Sequence, residues 1–362
     1  MRYKDFKLKE EGTKSSNVVR YNTELAMLAS FAGATGLNSI PDDSLANPEA
    51  TKKEIEKVKQ FYNEKKFFQW MKISEMYKEK ILRHSGELPE KFDWVGGSNI
   101  GPVADLVFVG HPASGISIKD ESGITLANLT PKALGLDTIK GQDVLQTYAD
   151  EEFKRFKIRV FTLMMNEAEA MPGSVIHPRP SGKERSLMFD ENTKKFIIKY
   201  DGGELSLDRN QIIRTSPKNA KWQRVFGDWY QANFQKYKST MRPLVAKISK
   251  SFQTIIGQAL SDSDKLKKIL QFEDQPYYYA TPKKMYYVPS AADAGDLELK
   301  GVDYASPDGT SQLFKAKIGN KESDDGAIID IYIRFANGLF ATNSTARVQS
   351  IKNPELIAWD LL

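Results

Sequence analysis

Four residues carry types and a spacing that could do chemistry: Asp105 and, across a short turn, Ser117-Ile118-Lys119. They belong to two apolar runs, Val103 to Val109 and Ile116 to Ile118, separated by the Pro-, Ser- and Gly-containing stretch His111 to Gly115. Two such runs around a breaker-rich turn predict adjacent antiparallel strands. Strand side chains alternate between faces, so Asp105, Val107 and Val109 share one face and Leu106 and Phe108 the other. By the same rule Ser117 and Lys119 point the same way. A buried hairpin has no use for an acid on one strand and an ammonium on the next. On a common face they form a carboxylate–lysine pair on a rigid platform, a base for metal-assisted phosphodiester chemistry.

Composition narrows the metal and the partner. The chain has 362 residues, enough for two domains or one elaborated core, with 40% hydrophobic and 27% charged residues as in globular proteins. It contains no cysteine and three histidines, which excludes disulfides and thiolate sites and argues against a His-rich zinc site. Any metal is then a hard, oxygen-bound ion such as Mg²⁺. A net charge of +5 favours a polyanionic partner. No apolar run reaches membrane-spanning length and the first residues, MRYKDFKLKEEGTK, lack an apolar stretch, so the expectation is a cytoplasmic protein without a membrane partner.

The elements that must position the pair follow along the chain. Residues 1–48 read as an N-terminal arm, with one apolar patch from Leu25 to Phe31 and a loop from Gly33 to Asn47. From Asn47 or Pro48 to His84 the pattern is one long helix or two abutting ones, stopped by Gly86. Phe68, Met71, Glu75 and Leu82 form one stripe and Trp70, Ile73, Tyr77 and Ile81 another, both read as core contact. Asp143 to Met165 reads as an amphipathic helix burying Leu145, Tyr148, Phe153 and Phe156, its later part, Phe156 to Met165, being open to a strand reading. The stretch Val175 to Arg185 reads as a basic loop. Phe196 to Tyr200 and Glu204 to Leu207 flank an Asp-Gly-Gly hairpin turn. Trp222 to Ile256 is helical with a kink or break at Pro243, and Asp262 to Gln271 is a further helix. Five short runs, Tyr277 to Ala280, Met285 to Val288, Leu313 to Ile318, Ala327 to Phe335 and Thr345 to Ile351, predict an antiparallel β-rich unit over 276–362. Neither GxxxxGK[ST] nor a GxGxxG after a strand occurs, and no internal repeat does.

The pattern of Asp105, a hairpin and Ser117-Ile118-Lys119 resembles the active-site hairpin of the PD-(D/E)XK nuclease superfamily, and within it type II restriction endonucleases. Val95-Gly96-Gly97 and Thr125 to Leu129 are similar to segments flanking that hairpin. The resemblance implies an α/β, restriction-endonuclease-like fold: a central mixed β-sheet flanked by helices, within a nuclease core over 49–275, the C-terminal β-rich unit serving DNA recognition. It implies a Mg²⁺-dependent endonuclease hydrolysing phosphodiester bonds of double-stranded DNA, with a homodimer as an option. Asp105 and the Ile118 carbonyl would hold the metal, and Lys119 would act on the attacking water. Ser117 stands where the family carries Asp or Glu, so a second carboxylate comes from elsewhere. The helix before the hairpin offers Glu75, with Glu79 as competitor. Arg179, Lys183 and Arg185 in the basic loop, and Arg334, Asn337 and Arg347 near the Ala336-Asn337-Gly338 turn, are the expected DNA contacts. Two rival readings remain: a non-catalytic DNA-binding protein on a degenerate nuclease fold, and a phage or mobile-element structural or interaction protein.

Overall fold

The computed structural model describes residues 21–94, 104–120, 123–124, 126, 128–129, 150–179, 184–214, 221–307, 311–335 and 344–362. The described residues begin with helix α1 (residues 21–31), followed by α2 (Pro48–Val58) and α3 (Glu64–Ser85). Pro48 starts α2, where the missing N–H costs nothing. A 3₁₀ turn, Lys59–Phe61, separates α2 from α3, so the long helical pattern is two abutting helices. Asn63 caps α3 by accepting from Lys66 N at 3.0 Å, and Gly86 ends it at φ 83°. Of the two predicted stripes on α3 the structure buries one. Trp70, Ile73, Tyr77 and Ile81 are in the core with Phe67, whereas Phe68 is 42% and Leu82 46% exposed. A helix lying on a sheet covers one face only, and the adjoining stripe looks outward.

The hairpin expected from the alternation is present. Strands β1 (Lys91–Trp94), β2 (Leu106–Val109) and β3 (Gly115–Ile118) form an antiparallel meander in which Trp94 pairs with Leu106 and Leu106 with Ile116. A short β4 (Asn128–Leu129) follows, then α4 (Asp150–Ala170), which stays helical to its end. The strand reading of Phe156 to Met165 is therefore overturned: Phe156, Val160, Met164 and Ala168 recur at helical spacing and are all buried. Phe153 is buried as expected; Leu145 and Tyr148 lie outside the described residues. Strands β5 (Val175–Ile176), β6 (Ser186–Asp190), β7 (Lys195–Tyr200) and β8 (Gly203–Leu207) make a four-stranded sheet, with the predicted turn closing Tyr200 against Gly203. The basic stretch thus begins as strand: Val175 pairs with Met188.

Next come α5 (Arg209–Arg214), α6 (Arg224–Ala232), α7 (Phe234–Leu260) and α8 (Ser263–Ile269). The break in the second long helical region falls at Asn233; Pro243 lies inside α7. Asn233 ends α6 by donating its backbone N–H to Trp229 and Tyr230 and its side-chain amide to Trp229 O. Asp262 caps α8, accepting from Lys265 N at 3.0 Å.

Strands β9 (Tyr277–Ala280) and β10 (Met285–Val288) join the hairpin's sheet, although the sequence groups them with the C-terminal runs. The remaining long strands are β11 (Leu297–Pro307), β12 (Ser311–Asn320), β13 (Ala327–Phe335) and β14 (Ser344–Lys352), and a short β15 (Asp360–Leu361) closes the chain. The first sheet has the order β1-β2-β3-β9-β10-β15, mixed because β3 and β9 run parallel. The second, β11-β12-β13-β14-β4, is antiparallel throughout. The architecture is mixed α/β. A parallel pair requires a long crossover, and α4 to α8 lie between β3 and β9 in the chain.

Alternate residues of β9 enter two different cores. Tyr278 and Ala280 pack with α1, α3 and the hairpin residues Phe92, Leu106, Phe108, Ile116 and Ile118. Tyr277 and Tyr279 pack with α4, α6, α7 and the second sheet. The mixed sheet is thus covered on both faces.

An acid contact ties α4 to this second core. Glu167 accepts from Trp229 Nε1 at 3.1 Å and from Tyr237 Oη and Lys236 Nζ. Burial pushes its carboxyl up, but the hydrogen bonds from Lys236, Tyr237 and Trp229 outweigh it and hold the group below its ordinary value. A depressed carboxyl stabilises the fold above its unfolded pKa and loses that contribution as pH falls through the folded one. Glu167→Gln should cost about 1–3 kcal/mol at pH 7. The gap from wild type in urea midpoint should close as pH drops below about 4; a gap constant with pH contradicts this.

Candidate active site

Asp105 sits one residue before β2, its N–H donating to Ile116 O at 3.0 Å, which continues the ladder to the strand's end. Three donors from β3 and its exit converge on one oxygen, Asp105 Oδ2. They are Ile118 N at 2.6 Å, Ser117 Oγ at 3.2 Å and Lys119 Nζ at 3.3 Å. The carboxylate and the ammonium are partly shielded, 22% and 32% exposed. Ser117, fully buried, spends its hydroxyl on Asp105. Oδ1 takes no hydrogen bond among the described residues and is the lone-pair face left for a ligand. A strand residue sends its N–H and C=O to the same edge, so the Ile118 carbonyl leaves β3 on the edge where its N–H meets Asp105.

The hairpin needs glycine at its seam. A Cβ on Gly115 would press into Leu106 O and stand 2.7 Å from Ala104 Cβ. On the other side β3 is fixed by β9, where Ser117 pairs with Tyr279 and Lys119 N donates to Ala280 O at 2.8 Å. The next residue, Asp120, is held by α3: Trp70 Nε1 donates at 3.2 Å to one oxygen and Lys66 Nζ to the other. Lys119 thus leaves the sheet between two fixed points.

The structure brings together Asp105, Ser117, Ile118 and Lys119. Glu75 is engaged elsewhere: its Oε1 accepts from Ser30 Oγ at 2.6 Å and Lys78 Nζ at 3.4 Å, and its side chain is 59% exposed. Glu79 pairs with Arg83 in the open. An acid the sequence reading passed over is Glu24 on α1, 6% exposed, accepting from Trp94 Nε1 at 2.8 Å. Since Trp94 pairs with Leu106, Glu24 lies at the Asp105 end of the sheet. The signal was available: Asn22-Thr23-Glu24 directly precedes the apolar run Leu25 to Phe31, and all three are buried.

The basic loop is divided. Arg185 forms a two-pronged pair with Asp201, its Nε 2.9 Å from Oδ1, and also meets Asp228, which is 4% exposed. Hydrogen bonding to Asp201, with Asp228 beside it, outweighs the burial that disfavours its charge and raises its pKa. Arg179 reaches Asp228 at 3.1 Å and Gln231 at 2.9 Å but is half exposed. Lys183 and Asn337 lie outside the described residues. Arg334 and Arg347 fall in β13 and β14, opposite Thr345 and Tyr332.

Mg²⁺ takes one or two carboxylates and keeps several waters. Among the described residues no three His, Asp or Glu side chains cluster as a metal cage. A half-free hard carboxylate beside a backbone carbonyl fits such an ion as a single-acid site. Two consequences concern stability. Gly115→Ala overpacks the seam and should cost about 1–3 kcal/mol. Arg185→Ala leaves the buried Asp228 to Arg179 alone and takes the two-pronged partner from Asp201, and should cost about 1–3 kcal/mol. Urea unfolding measures both, and an Arg185→Ala protein as stable as wild type would free that arginine for another role. Compared with protein-family models, curated proteins and solved structures, the chain matches none.

Proposed function

We propose that this chain is a Mg²⁺-dependent endonuclease of the restriction-endonuclease-like class that hydrolyses phosphodiester bonds of double-stranded DNA in the cytoplasm. The observation that carries the reading is Lys119 Nζ standing 3.3 Å from Asp105 Oδ2 at the end of a sheet covered on both faces. Supporting it are the mixed order of that sheet, the net charge of +5 and the absence, among the described residues, of a helix long and apolar enough to cross a membrane.

In this reading Asp105 and the Ile118 carbonyl would hold Mg²⁺, which would supply Lewis-acid polarisation of the phosphate. The chain's own groups do the rest. Ser117 and the Ile118 N–H hold Oδ2, so Asp105 cannot rotate and Oδ1 keeps its aim. Lys119 places a positive charge beside the attacked phosphate, lowers the pKa of the attacking water and steadies charge developing in the transition state. Arg179, Arg334, Asn337 and Arg347 remain the proposed DNA contacts, and sequence specificity stays part of the proposal.

A second reading, a DNA-binding protein whose hairpin is structural, is favoured by one observation: Asp105 Oδ2 is already saturated by three donors. Variants separate the two. Asp105→Asn and Lys119→Ala should each lower the Mg²⁺-dependent cleavage rate about 10²–10³-fold. Both should leave metal-free duplex binding intact, because phosphate contacts dominate affinity. Ser117→Ala should have a mild effect. Full cleavage by a folded Asp105→Asn protein would remove the hairpin as the site.

A further inference from the structure

A second feature stands where the Lys59–Phe61 turn leads into α3. Between α1 and the Lys59–Phe61 turn lies an open cavity of about 480 Å³, walled by Tyr21, Tyr62 and Lys59 on one side and by the loop carrying Thr35, Asn38 and Ser39 on the other. Its size falls in the range of sites for small organic ligands. The two tyrosine rings meet edge to face at 5.5 Å. Tyr21 is buried, whereas Tyr62 is 43% exposed and also meets Phe67 edge to face at 5.5 Å. Burial pushes the Tyr21 phenol up to about 12, with Tyr62 and Glu56 adding to it, so that wall stays neutral at physiological pH.

The lining has a definite chemistry. An exposed aromatic face takes a flat ring by stacking. Ser39 spends its hydroxyl on Gly36 and stands 3.4 Å from Thr35 Oγ1, whereas the exposed Asn38 presents a carboxamide, whose donor and acceptor match the mixed edge of a nucleobase. Lys59 brings the charge a phosphate needs, and its pairing with Glu56 at 3.2 Å is between exposed groups and easily given up.

The location matters as much. Tyr62 is followed by Asn63, the cap of α3, and Lys66 one turn later holds Asp120, the residue after Lys119. Asn22, next to Tyr21, binds both Phe61 O and Asn63 N, fixing the cavity wall to the start of α3. The cavity wall is therefore tied through the first turn of α3 to Asp120, the residue after Lys119.

We propose that this cavity is a nucleotide pocket, taking the base against Tyr62 and its phosphate on Lys59. The base comes from the bound DNA strand, as a nucleotide turned out of the duplex or left unpaired near the cleaved bond. This rests on the nuclease reading for its source of nucleotide, not for the pocket itself. Turning a base out costs least where pairing is already lost, so the pocket makes mispaired or bulged DNA the preferred ligand.

The test uses the full chain and two arms. In the first, the four deoxynucleoside 5′-monophosphates are titrated calorimetrically into wild type, Tyr62→Ala and Asn38→Ala. The expected result is saturable binding weakened about ten-fold by Tyr62→Ala, as the loss of one base–aromatic stack predicts. Both residues are exposed, so the variants fold. In the second, metal-free affinity is measured for a fully paired duplex and a series carrying one unpaired nucleotide at successive positions. Wild type should prefer one position by about ten-fold, and Tyr62→Ala should lose the preference while keeping its affinity for paired DNA. Monophosphate binding without any positional preference would support a free nucleotide as occupant and overturn the DNA source. Absence of both would overturn the pocket. Monophosphate binding by a protein that neither binds nor cuts duplex would sink the nuclease reading and leave the pocket standing.

Discussion

One carboxylate oxygen sets the geometry on which the rest depends. Asp105 Oδ2 gathers Ile118 N, Ser117 Oγ and Lys119 Nζ, tying the start of β2 to the end of β3. A one-residue slip between those strands would turn Leu106, Phe108, Ile116 and Ile118 out of their core. It would also send Ser117 and Lys119 to the opposite face. The hydrogen bonds to Asp105 and the burial of the apolar set therefore enforce the same register. Gly115 lets the strands approach that closely, and the parallel pairing with β9 carries the register on to Tyr278, Tyr279 and Ala280.

The molecule uses its charged pairs in two ways. Arg185 with Asp201 and Asp228, and Glu167 with Lys236, Tyr237 and Trp229, are saturated contacts that fasten helices to strands. Asp105 is different in kind, because three donors crowd one oxygen and none of the described residues donates to the other. A buried acid with every lone pair satisfied only holds the fold, whereas one with a fixed, free lone pair can also bind a hard cation. The buried carboxylate at the Asp105 end of the sheet, Glu24, is committed to Trp94.

Much of this was legible in the sequence. Alternation in Val103 to Val109 and the apolar run Ile116 to Ile118 placed the hairpin, and Gly86 and Pro48 placed helix ends, since these signals are local. The errors share a cause. Which of two adjoining stripes on α3 is buried depends on how the helix lies on the sheet, and Phe68 and Leu82 follow the wrong one. The partner of Tyr277–Ala280 is β3, about 160 residues away, and no periodicity announces a pairing that distant. Arg185 looked like a free phosphate ligand because Asp201 and Asp228 lie beyond the loop that holds it. Glu75 looked central by helical spacing, yet Ser30 on α1 claims it.

Chemistry at the hairpin is the central claim, and supercoiled plasmid incubated with the purified wild-type chain tests it most directly. With Mg²⁺ the plasmid should pass to nicked and linear forms, and with the metal chelated it should stay supercoiled while still being retarded by the protein. Retardation in both conditions with no strand broken in Mg²⁺ would contradict the account and leave Asp105 and Lys119 as a structural pair.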